Sequence, residues 1–149
     1  MTYPSPAELL PHGPEMVLLD EVVEWHDKRA LCRLRLREGS PFVEGGRARS
    51  AVALEYMAQC VGVCTALGSL ERGEPLRMGY LVGVRTMTLE ADYLEVGDEL
   101  LVAATEEYDG GELGSFACTV HRRGELVVAA TLSVYRRLDD DGPGSCADR

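Results

Sequence analysis

Glu55 and Gln59 stand four residues apart in the stretch 50–70, SAVALEYMAQCVGVCTALGSL, which is otherwise apolar on nearly every side. In a helix, that spacing puts both side chains on one face. A carboxyl among apolar neighbours is costly unless something uses it, and its uses are proton transfer or attack on an electrophile. Glu55 is the first candidate for chemistry, with Gln59 placed to hold it or a water. Arg47 and Arg49 come next, because they precede the helix start, where backbone N–H groups already favour an anion. The histidines are His12, in a proline-bounded loop, His26, in a charged turn, and His121, at a strand end beside Arg122 and Arg123. The last two read as surface residues.

The five cysteines, Cys32, Cys60, Cys64, Cys118 and Cys146, include no C-x-x-C pair and have no histidine near the helical pair. Their number and spacing argue for reduced thiols and against a metal centre. They read as small core residues, with Tyr56 and Met57 likewise as packing. A net charge of −10 makes nucleic acid an improbable partner. The first 15 residues lack the basic and apolar runs of a signal peptide, and the carboxyl and amide inside the long helix argue against a membrane span, so cytoplasm is the expected location.

These groups need elements to position them. Residues 6–10, PAELL, form a short helical turn, ended by PHGP. Two strands follow, at 16–25 and from Ala30 to Arg37, joined through His26, Asp27 and Lys28; the second alternates arginines with core residues. A loop over 38–49 leads to the long helix, with Ser50 as its N-cap and Gly68 weakening its last turn. Four strands complete the chain, at about 77–92, 98–108, 112–122 and 125–137. Residues 1–138 read as a single domain and 139–149 as a disordered tail. One long apolar helix among antiparallel strands requires a sheet that curls around it, an α+β arrangement.

That order is similar to the hot dog fold, and three motifs sharpen the likeness. LLPHGPEMVLLDEVVE (9–24) resembles the LPHRxPxLLxDRV opening of 3-hydroxyacyl-[acyl carrier protein] dehydratases; SPFVEGG (40–46) and ALEYMAQ (53–59) resemble their PFFxGHFP and EAMAQ segments. LVGVR (81–85) is close to a segment of the dehydratase subgroup attached to aryl polyene biosynthesis. One departure stands out. The family's catalytic histidine belongs to GHFPGxP, and the corresponding stretch here, 44–50, is shorter and holds none. The aryl polyene subgroup shares that loss and keeps the histidine of LPH.

The resemblance implies dehydration of a 3-hydroxyacyl thioester without metal or organic cofactor, in fatty-acid or polyene-type biosynthesis. Glu55, matching the acid of EAMAQ, would protonate the departing hydroxyl, supported by Gln59, and His12 is the candidate base. Helix-start N–H groups near Ala51 and Val52 would hold the thioester oxygen. An acidic carrier protein needs a local basic patch, for which Arg47 and Arg49, with Arg77 or Arg85, are the candidates. The resemblance also implies a dimer, with Ala58, Gly62 and Ala66 as a small-residue face that permits close approach. Two alternatives remain open: a hot dog acyl thioesterase, and a catalytically silent acyl-binding subunit of a hetero-oligomeric dehydratase.

Overall fold

A computed structural model describes residues 2–11, 13–76 and 79–136. The elements are helix α1 (Pro6–Leu9), strands β1 (Glu21–His26), β2 (Arg29–Arg35) and β3 (Arg47–Arg49), helix α2 (Ala53–Glu71), then β4 (Gly79–Leu89), β5 (Tyr93–Glu95), β6 (Glu99–Gly110), β7 (Leu113–Arg122) and β8 (Glu125–Arg136). Six strands form one antiparallel sheet in the order β1-β2-β6-β7-β8-β4, and β3 pairs with β5 in a separate ribbon.

The sheet buries alternate residues, as a pleated strand with one face inward must. Ala30, Cys32 and Leu34 on β2, Leu100, Val102 and Ala104 on β6, and Phe116, Cys118 and Val120 on β7 face α2, whose Tyr56, Met57, Cys60 and Val63 are buried against them. Within the six-stranded sheet, register shifts interrupt every strand pair except β2–β6. Each shift bends and twists the sheet locally, which lets it curl around one helix. This is the hot dog fold.

The arginine-rich face of β2 is wet, as its alternation implies: Arg33 pairs with Glu21, Arg37 with Asp20 and Arg35 with Glu99. α2 is long and apolar enough to cross a membrane by length and composition. Here it is the core helix.

Two local expectations change, those for Ser50 and for the 38–49 loop. Ser50 does not cap α2: residues Ser50–Val52 form a 3-10 turn, and the Ser50 hydroxyl donates instead to the carbonyl of Ala91. Gly68 stays inside the helix. The stop is Gly73, at φ 70, with the amides of Gly73 and Glu74 closing on the carbonyls of Leu70 and Ser69, a Schellman ending that needs a left-handed residue. The loop over 38–49 also contains β3, whose three residues pair with β5 across more than forty residues of chain. Such a short, distant pairing leaves no periodic signal in sequence. The tail at 139–149, His12, Arg77 and Cys146 lie outside the described residues.

Candidate active site

Glu55 lies in the first turn of α2 and lines two cavities at once. The first, of about 230 Å³, runs along the helix past Ala58, Gln59, Gly62 and Thr65, and is walled opposite by Leu132 and Val134 of β8. The second, of about 940 Å³, opens between the helix start and the 42–49 loop and is lined by Phe42, Arg47, Arg49, Ala51, Val52 and Tyr93. Leu81 of β4 also lines both. A half-buried carboxyl thus stands where an apolar channel meets a more open one that carries Glu44, Arg47 and Arg49.

Gln59 fixes that carboxyl. It is 1% exposed, and its Nε2 donates to Glu55 Oε1 at 3.2 Å and to the carbonyl of Met16 at 2.8 Å. Its Oε1 accepts from the amide of Leu18 at 2.9 Å. This network settles which end of the amide is oxygen. Gln59 therefore both holds Glu55 and satisfies backbone, and the backbone belongs to its own chain.

The start of the helix forms part of the open cavity's wall. Ser50 spends its amide on the carbonyl of Asp92 at 2.9 Å. Ala51 and Val52, which line the open cavity, belong to the first turn, where amides precede the helix's own bonding pattern. Arg47 and Arg49 flank them from β3 and stack on one ring: their guanidinium carbons lie 3.7 and 5.6 Å from the centre of Tyr93. Tyr93 has no local sequence signal, because its partner strand precedes α2. Arg85 is exposed on β4 and lines neither cavity.

Phe42 sits at the open cavity's mouth in a left-handed conformation, φ 71, and is 61% exposed. The Val43 amide donates to Ser40 at 3.2 Å, making Ser40-Pro41-Phe42-Val43 a turn with proline second and a positive φ third. That third place ordinarily takes glycine or asparagine, so Phe42 is held there under strain.

The small-residue stripe is used within the chain. Ala58, Gly62 and Ala66 all line the apolar cavity, and a Cβ on Gly62 would stand 2.8 Å from Leu10 Cδ2. The loop after α1 comes to the same wall, since Pro11 lines this cavity with Glu55. His26 is exposed, 3.8 Å from Glu24. His121 lines a shallow surface depression with Arg33, Arg122 and Arg123. The buried cysteines behave as core groups. Burial pushes the Cys64 and Cys118 thiols up to about 12, and Cys60 is raised well above the usual range by its contact with the Cys32 sulfur and by burial. None of these three, Cys60, Cys64 and Cys118, offers a thiolate near neutrality. Burial likewise pushes the Tyr56 phenol up to about 12.

The family profile described as ApeP dehydratase matches residues 4–141. The chain belongs to the ApeP-like dehydratases. As an ApeP-like dehydratase it is a lyase. It is 28% identical over 137 residues to the 3-hydroxyacyl-[acyl-carrier-protein] dehydratase FabZ of Erwinia tasmaniensis, covering 87% of this chain and 88% of that protein. Among solved structures it is similar to the dehydratase heterocomplex ApeI:P from Xenorhabdus doucetiae, with TM-score 0.87, 25% identity and 99% of each chain covered. A hypothetical thioesterase with coenzyme A from Streptococcus pneumoniae matches at TM-score 0.63 and 14% identity over 78% of this chain and 84% of that one. That last likeness concerns the fold alone.

Proposed function

We propose that this ApeP-like dehydratase removes water from a 3-hydroxyacyl thioester presented by an acyl carrier protein, in the cytoplasm, as a step of fatty-acid or polyene-type biosynthesis. The observation that carries the reading is the position of Glu55 between an apolar channel and an open entrance that carries Arg47 and Arg49. An acyl tail fits the first; the thioester and its phosphopantetheine arm fit the second.

In this reaction a base takes the C2 proton, the electron pair becomes the C2=C3 bond, and the C3–O bond breaks as Glu55 gives its proton to the leaving hydroxyl. Water departs, Glu55 is left ionised, and the base is left protonated. His12 is the proposed base; its neighbour in sequence, Pro11, lines the Glu55 cavity. The amides of Ala51 and Val52 stabilise the thioester oxygen as negative charge builds there. Arg47 and Arg49 bind the arm's phosphate; a guanidinium recognises phosphate through paired donors. Arg85, on the exposed strand β4, would meet the carrier only at a wider contact.

The protein is proposed to work as a hot dog dimer or hetero-oligomer. The two sheet edges differ: Tyr3 bonds the β1 backbone at Trp25, whereas β4 presents Leu81, Val82, Val84 and Leu89 to solvent. An open apolar edge strand calls for a covering chain, and one placed there would also close the cavities at Leu81. The ApeI:P similarity supports a related dehydratase as that chain, and with it the silent-subunit alternative.

The test is turnover of a 3-hydroxyacyl carrier thioester by the purified protein, alongside Glu55→Ala and His12→Ala. An enoyl thioester lost in both variants supports the reading. Free acid and thiol would instead establish a thioesterase. Activity that appears only on mixing with a second dehydratase, and survives Glu55→Ala, would establish the silent subunit. Charge reversal at Arg47 and Arg49 should raise KM for the carrier substrate about tenfold; an unchanged KM would remove them from carrier binding.

A further inference from the structure

Arg47 and Arg49 differ from most of the chain's arginines in what their side chains meet. Arg33, Arg35, Arg37, Arg72, Arg122 and Arg136 each hold a carboxylate. Among the described residues no carboxylate pairs with Arg47 or Arg49. Carboxylates are nevertheless at hand, since Glu95 is the register partner of Arg47 and Glu44 bridges to it through backbone. The two guanidinium carbons lie instead 3.7 and 5.6 Å from the centre of the Tyr93 ring, both within reach of a cation–π contact. Both arginines line the open cavity, so their N–H donors are left for an anion that enters it.

Strand register accounts for the arrangement. Arg47 and Arg49 share the exposed face of β3, while Ala48 between them is 2% exposed. Tyr93 pairs directly with Arg49 and lies diagonal to Arg47, a separation that long side chains and rings span. The backbone beneath the ring is pinned. The Ser50 amide donates to the Asp92 carbonyl at 2.9 Å, and Arg122 Nη1 donates to the Tyr93 carbonyl at 3.2 Å while also holding Asp98 at 2.8 Å. Leu94, next along β5, is fully buried.

Two like charges on neighbouring side chains repel, and a long side chain loses rotamer freedom when it is ordered. An electron-rich ring face offsets the repulsion and orders both guanidinium groups before a ligand arrives. Without the ring, each arginine would be free to swing away or to turn to Glu44 and Glu95.

We infer that Tyr93 is a positioning residue for an anion site in the open cavity, its ring holding Arg47 and Arg49 as a pre-formed pair for the phosphate of an incoming thioester arm. The inference rests on the proposed reading of those two arginines, but its test needs no turnover. The probes are phosphopantetheine and pantetheine, which differ only in the phosphate, titrated by calorimetry at one ionic strength. The wild-type protein should bind phosphopantetheine about tenfold more tightly. Tyr93→Leu should cut that advantage about fivefold, and Tyr93→Phe, which keeps the ring, should retain it. Pantetheine should bind all three proteins alike. A full phosphate advantage in Tyr93→Leu, or a loss in Tyr93→Phe equal to that in Tyr93→Leu, would overturn the inference. So would loss of pantetheine binding in Tyr93→Leu, which would make Tyr93 a structural residue. Arg47→Glu with Arg49→Glu separates the two readings. If that pair abolishes the advantage and Tyr93→Leu does not, the arginines keep the phosphate and only the role of Tyr93 falls; if the advantage survives the pair, both readings fall.

Discussion

Glu55 and Glu106 line cavities at opposite ends of the same helix, and they are held in opposite ways. Glu55 receives a neutral amide, Gln59 Nε2, at 3.2 Å. Glu106 receives a guanidinium, Arg136 Nη1, at 2.9 Å, with the two side chains 13% and 12% exposed. A guanidinium fixes a carboxylate as half of an ion pair, and removing either half leaves a buried charge. An amide positions a carboxyl without itself neutralising it. On the proposed reading, one end of the helix serves chemistry and the other holds strands together.

That contrast can be broken by substitution. Glu55→Gln should lower kcat/KM for a 3-hydroxyacyl thioester by about 10²–10⁴-fold while its urea midpoint stays near wild type; a folded, fully active variant would remove Glu55 from the reaction. Glu106→Gln should do the reverse in stability, lowering it by roughly 2–3 kcal/mol in urea titration, with Arg136 retaining Asp109 as partner. If both variants lost stability equally, the distinction between the two ends would fall. Gln59→Leu belongs between them. It strands the Leu18 amide and the Met16 carbonyl, at about 2 kcal/mol, and should also lower kcat because Glu55 loses its positioning bond.

The smallest expected effect concerns the entrance. Phe42→Gly should raise stability by about 1 kcal/mol, the relief of a left-handed aromatic less the entropy of a new glycine, measured as a higher urea midpoint. KM should rise at the same time if the ring walls the entrance for substrate. A stability gain with unchanged kinetics would make Phe42 a turn residue only.

Much of this was legible in the chain. The apolar stretch 50–70 announced a buried helix, the arginine alternation on β2 announced a strand with one wet face, and the i, i+4 pair of Glu55 and Gln59 announced a shared face. Helix ends and short pairings were not legible. Ser50 looks like a cap by residue type, but its hydroxyl turns to a carbonyl brought up from forty-one residues away. The ribbon of β3 and β5 is too short for periodicity to register, and it is this ribbon that stacks Arg47 and Arg49 on Tyr93.

By itself the sequence determined the fold class, the helix that would be buried and the carboxyl on it that called for an explanation, because periodicity and burial cost are properties of a local stretch. Only the tertiary structure decided what meets that carboxyl. The amide that holds it also secures the 16–18 segment, and two cavities meet at it. Those neighbours are far apart in the chain, and contact between distant residues is set by strand order and packing, which no local pattern records.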